Sequence, residues 1–167
     1  MNAPLDIVVL ISEISEGREV SSRIYRLIAE HYASLPREMS SRTFKDSIVL
    51  ADLLSRLYTC AETYFLRIAR FFGNGIDPDK WHSDLLKRMA GPIEGVRPTV
   101  ISSKPYAALD ELRRFRHFHR YYFEMDYEWQ RLEFLMSMLE DAWVPYNSDM
   151  DAFVTFLRQL AEPPPAP

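Results

Sequence analysis

Phe44-Lys45-Asp46-Ser47-Ile48-Val49-Leu50-Ala51-Asp52-Leu53-Leu54-Ser55-Arg56-Leu57-Tyr58 opens a run that reaches Phe72 without a glycine or proline. Along it Phe44, Ile48, Leu50, Ala51, Leu54, Leu57, Tyr58, Ala61, Tyr64, Phe65, Ile68 and Phe72 form the broad apolar stripe of a long helix. Ser40 or Ser41 is the expected cap at its start. Gly73-Asn74-Gly75 ends it, because glycine and asparagine accept a left-handed backbone. Upstream, Leu10, Ile14, Ile24, Leu27, Ile28 and Tyr32 mark a second long helix from Asp6 to about Leu35, stopped by Pro36. Two long apolar-striped helices joined by a short link predict an antiparallel hairpin.

Beyond Asp77-Pro78-Asp79 a short amphipathic piece runs from Trp81 to Met89 and ends at Gly91-Pro92. Residues 91–105 carry Gly95, Arg97-Pro98 and Lys104-Pro105 and read as an extended connector pinned by Val96, Val100 and Ile101. Ser103 fits an N-cap with Pro105 in the first turn of the next helix, which carries Leu109, Leu112 and Phe115. A further helical pattern covers Tyr127 to Trp143. Pro145 and Asn147 are expected to interrupt it, with Ser148 or Asp149 capping a last helix through Phe153, Phe156, Leu157 and Leu160. The fold class is all-α: an antiparallel bundle of five or six helices in one domain, 1–167, with residues 1–5 and 162–167 as frayed tails.

Composition agrees. The chain has 167 residues, 47% hydrophobic and 26% charged, enough for a globular core. No apolar run approaches the roughly 20 residues that span a bilayer, and Asp6 before the short run Ile7 to Ile11 argues against a signal peptide. Cys60, the single cysteine, rules out an intramolecular disulfide framework and suits a cytoplasmic location.

Chemistry concentrates between Glu111 and Glu124. Arg113, Arg114, Arg116, His117, His119 and Arg120 fall within eight residues that contain no acid, in a chain of net charge −4. Cutting RNA without a metal needs a base for the 2′-hydroxyl proton, an acid for the leaving oxygen and cations for the phosphorane. Histidine can fill the first two roles and arginine the third. The segment offers no obvious metal-binding set, so no cofactor is expected. At ~100° per residue, Arg114 and Tyr121 share a helix face, while Arg113, His117 and Arg120 form one stripe and Arg116, His119 and Arg120 another. Arg114 and His119 lie roughly 140° apart on an ideal helix. They meet at one phosphate only through long side chains, a distorted helix end or two chains about a two-fold axis. A basic, aromatic helix face also has a plain reading, as a solvated surface above core aromatics.

Arg114-x4-His119-x-Tyr121 resembles the R-x4-H-x-Y motif of the HepT-like HEPN ribonuclease toxins. Trp81-His82-Ser83-Asp84-Leu85-Leu86, the Val96-Arg97-Pro98 connector, Phe123-Glu124-Met125-Asp126 and Glu62 on the second helix resemble further marks of that family, in the same order. An alternative register anchored on Arg116-His117 places Tyr121 where the histidine belongs. The resemblance implies a homodimer in which the motif helices line a shared basic cleft. In it His119 would be acid and base, Arg114 would stabilise the phosphate, and Arg113, Arg116, His117 and Arg120 would bind RNA or the partner. It also implies metal-independent cleavage of tRNA or mRNA. The implied partner is a minimal nucleotidyltransferase (MNT) antitoxin, with Tyr121 as the adenylylation acceptor. The alternative is a non-catalytic HEPN-like module that scaffolds such a partner.

Overall fold

The computed structural model describes residues 3–73, 81–122 and 125–162, and five α-helices account for most of them. They are α1 (Ala3–Ser34), α2 (Phe44–Phe71), α3 (Trp81–Ala90), α4 (Ser103–Tyr121) and α5 (Trp129–Ala161), with a single 3-10 turn at Met39–Ser41. The helix-breaking Gly73-Asn74-Gly75 falls partly, and Asp77-Pro78-Asp79 and Pro163-Pro164-Pro165 wholly, outside the described residues.

The hairpin of α1 and α2 is antiparallel, as paired contacts along it show. His31 Nε2 lies 3.0 Å from the Asp46 carbonyl at one end, Ser21 Oγ donates to Cys60 Sγ at 3.3 Å in the middle, and Arg67 meets Glu13 at 3.1 Å towards the other. The packing is tight at Gly17, where an added Cβ would stand 2.5 Å from the Tyr64 ring. Most of the α2 stripe is fully buried, from Leu50 to Ile68. Phe44 and Leu27, both assigned to the core from periodicity, are instead about half exposed, because each lies at the edge of its stripe.

The start of α2 differs from the expected serine cap. Thr43 caps it: its hydroxyl accepts the Asp46 N–H while the Asp46 carboxylate accepts the Thr43 N–H at 2.9 Å, a capping box. Those hydrogen bonds from Thr43 hold the Asp46 carboxyl below its ordinary range. Ser40 and Ser41 belong to the 3-10 turn before it.

The connector behaves as expected at Val100 and Ile101, which are buried and donate their N–H groups to the Met89 carbonyl. Val96 is exposed instead, and Arg97 is the buried charged side chain of this segment. Its guanidinium donates to the carbonyls of Arg88, Gly91 and Pro98 at 2.6–2.9 Å, and so ties α3 to the loop. α4 begins one residue after Ser102, which replaces Ser103 as the capping position. Asp149, expected to cap a helix, accepts both the N–H and the hydroxyl of Ser102 at 2.7 Å.

The largest correction concerns α5, which runs unbroken through Pro145. Proline removes one helical donor and costs about 3 kcal/mol in a helix interior. Tertiary contacts offset this. Leu139, Ala142, Tyr146, Met150 and Phe153 keep the buried stripe in phase across the proline. Trp143 stacks on Tyr25 of α1 with centroids 4.0 Å apart, and Arg18 bonds Asp151 at 2.7 Å just beyond it. The expected break at Pro145 is thus absent, and five helices, within the five or six expected, are present among the described residues.

Candidate active site

The buried side of α4 carries Ala108, Leu109, Leu112 and Phe115. No described residue of the helix after Phe115 is buried, so the last two turns project beyond the core with their cations. His119 lies one turn after Phe115 on the same side, and its ring therefore continues the inward stripe. It stacks near-parallel on Phe115 (centroids 6.2 Å apart, 19°) and packs against Tyr127 (5.4 Å). Its Nδ1 is hydrogen-bonded to the Tyr127 hydroxyl. Partial burial lowers the imidazole pKa below its ordinary value, against a smaller opposing pull from the Asp52 carboxylate of α2.

Arg114 faces elsewhere. Its guanidinium is largely exposed and pairs with Asp110 at 2.7 Å and Glu111 at 3.4 Å, one turn back on its own helix. Arg114 and His119 thus turn to separate partners on separate faces, as their spacing on an ideal helix implies. Tyr121, on the face shared with Arg114, is 65% exposed, its ring 5.1 Å from that of His117.

Arg113, Arg116, His117 and Arg120 surround a cavity of about 70 Å³ lined by cationic or titratable side chains alone. The stripe Arg113–His117–Arg120 thus forms one surface. The stripe Arg116–His119–Arg120 does not, because His119 turns inward to Tyr127. Acids hold this cavity in shape: Arg113 pairs with Asp110 at 2.9 Å, and Arg116 with Glu62 at 2.6 Å. The Arg116–Glu62 pair is largely buried, and Arg116 also lies 5.5 Å above the Tyr58 ring. Burial, and then the Glu62 charge, push the Tyr58 hydroxyl pKa upward. Glu62 is therefore the anchor that fixes one cation of the cavity on α2.

Tyr127 is the functional candidate that spacing did not reveal. The sequence pattern put it at the start of a helix running to Trp143, but α5 begins only at Trp129, and Tyr127 lies in the turn between α4 and α5. Met125 adopts a left-handed backbone (φ 56°), and the Tyr127 N–H donates to the Met125 carbonyl at 3.2 Å, turning the chain back towards α4. The aromatic cluster Tyr122, Phe118 and Tyr127 packs around this turn. Arg131 of α5 clamps it to α4 through Glu111 at 2.7 Å.

The all-helical bundle and the Arg-x4-His-x-Tyr helix end are those that the resemblance to HEPN proteins implies. The chain belongs to the HepT-like family: the family model described as HepT-like protein matches residues 49–157, from α2 into the last turns of α5. No curated protein and no solved structure matches the chain. No helix among the described residues is long and apolar enough to cross a membrane.

Proposed function

We propose that this chain is the endoribonuclease toxin of a HEPN/MNT toxin–antitoxin pair, acting in the cytoplasm as a homodimer on tRNA or mRNA without a metal ion. His119 takes the 2′-hydroxyl proton and returns a proton to the departing 5′-oxygen, leaving a cyclic phosphate. Arg114 stabilises the charge on phosphorus, supplied across a two-fold axis because its own chain turns it away from His119. Arg113, Arg116, His117 and Arg120 hold the RNA backbone. Tyr121 is the acceptor at which a nucleotidyltransferase antitoxin adds AMP, and its exposure leaves it open to such an enzyme. The added anion beside Arg114 would neutralise that cation and block RNA.

The observation that carries this reading is the cavity walled by Arg113, Arg116, His117 and Arg120, on the same helix end as a half-buried histidine whose pKa is lowered. A test is to incubate the purified protein with total RNA in EDTA. Cleavage is expected from the parent chain and is expected to vanish in His119→Ala and Arg114→Ala variants that keep the parent's helicity and oligomeric state. A His119→Ala protein that cuts at the parent rate would sink the assignment.

A second reading is a non-catalytic HEPN-like module that scaffolds a nucleotidyltransferase or another protein. It is favoured by the acids Asp110, Glu111 and Glu62, which already pair with Arg113, Arg114 and Arg116. It predicts a stable complex and no nuclease activity in the same assay.

A further inference from the structure

A histidine can serve as both base and acid through one ring nitrogen while a hydrogen bond holds the other. Among the described residues His119 Nδ1 is engaged by the Tyr127 hydroxyl, and Nε2 has no hydrogen-bond partner. The ring is clamped between Phe115 and Tyr127, so its orientation is set by two elements, α4 itself and the turn after it. We propose that Tyr127 is the positioning residue of the site: its oxygen accepts the Nδ1 proton of His119 and so commits Nε2 to proton exchange with the reacting oxygens. This rests on the reading of His119 as acid and base.

The proton balance supports the choice of nitrogen. If Tyr127 donated to Nδ1, the neutral ring would carry its proton on Nε2 and could not take the 2′-hydroxyl proton there. If Nδ1 keeps its proton and donates it to the Tyr127 oxygen, Nε2 has a lone pair and can accept the 2′-hydroxyl proton. The resulting imidazolium keeps Nδ1–H on Tyr127 and gives the Nε2 proton to the leaving oxygen, which restores the starting form. Tyr127 itself stays protonated, since burial and then the charges of Tyr122 and Asp52 raise its pKa. A neutral hydroxyl fixes the tautomer without adding a negative charge beside the imidazole, as a carboxylate partner would. Asp52 on α2 is the charged group that acts on both rings, and Tyr122 acts on Tyr127.

The test is nitrogen-resolved NMR of the histidine rings in the full chain, parent and Tyr127→Phe, with RNA cleavage measured alongside. The phenylalanine keeps the ring and removes only the hydroxyl. In the parent above its titration, His119 is expected to show a protonated Nδ1 and an unprotonated Nε2. In Tyr127→Phe the Nε2–H form is expected to gain, and kcat to fall about tenfold to a hundredfold with little change in KM. A parent ring protonated on Nε2, or a variant with unchanged tautomer and kcat, overturns the proposal. The parent spectrum decides the point even if the variant fails to fold. If the tautomer shifts as expected but neither protein cuts RNA, Tyr127 positions the ring and it is the nuclease reading that fails.

Discussion

The α1–α2 hairpin and the outer end of α4 are held by different means. In the hairpin, a continuous buried stripe from Leu50 to Ile68 meets α1 at the distance that Gly17 permits, and a capping box closes the start of α2. The last two turns of α4 have no fully buried residue. They are held by side-chain contacts, the Arg116–Glu62 pair and the His119–Tyr127 hydrogen bond, while the Arg131–Glu111 pair ties the middle of α4 to α5. Apolar burial is non-directional, whereas ion pairs and hydrogen bonds fix direction. The bundle therefore supplies stability, and a handful of polar contacts aims the cations and the imidazole.

Glu62 joins the two regions, so its loss should have the largest effect. Glu62→Ala leaves the Arg116 guanidinium buried without its carboxylate, and a broken buried pair costs about 3–5 kcal/mol. Chemical denaturation should show a loss of that order. Adding Arg116→Leu should recover much of it, and no recovery would mean that Glu62 acts through something other than this pair.

Gly17→Ala tests the hairpin alone. Alanine favours a helix by about 1 kcal/mol over glycine, but its methyl would stand 2.5 Å from a fully buried Tyr64 ring. Overpacking of this kind costs about 1–3 kcal/mol, so a net loss is expected in thermal melts, with RNA cleavage intact below the transition. A gain in stability would show that the two helices separate more easily than their packing suggests.

The smallest effect should come from Asp52→Asn, which touches the site through charge only. Burial holds the His119 pKa below its ordinary value near ~6.5 and the Asp52 carboxylate raises it, so removing that charge lowers it further. The base form then survives to lower pH, and the acid limb of the pH–rate profile should move to lower pH. A shift to higher pH would contradict the direction of this coupling. The same depressed pKa means that the fold is penalised as His119 is forced to protonate. That contribution is absent above the ordinary imidazole pKa and grows as pH falls through it.

Much of the bundle was legible in the chain itself. The three-to-four spacing along Leu50–Ile68 specifies a buried helix whatever it packs on, and Pro36 stops α1 for local steric reasons. The Arg114-x4-His119-x-Tyr121 spacing likewise marked the helix end at which the cations gather, and showed that Arg114 and His119 diverge. What tertiary structure alone decided lies between residues far apart in sequence. Pro145 stays helical because Tyr25, Arg18 and the stripe through Tyr146 hold both sides of it. Arg116 is fixed by a glutamate on another helix, and His119 is turned by a tyrosine beyond the end of its own. Helical periodicity is a property of neighbours three and four residues apart. The partner that aims a side chain is chosen by packing, which no local pattern encodes.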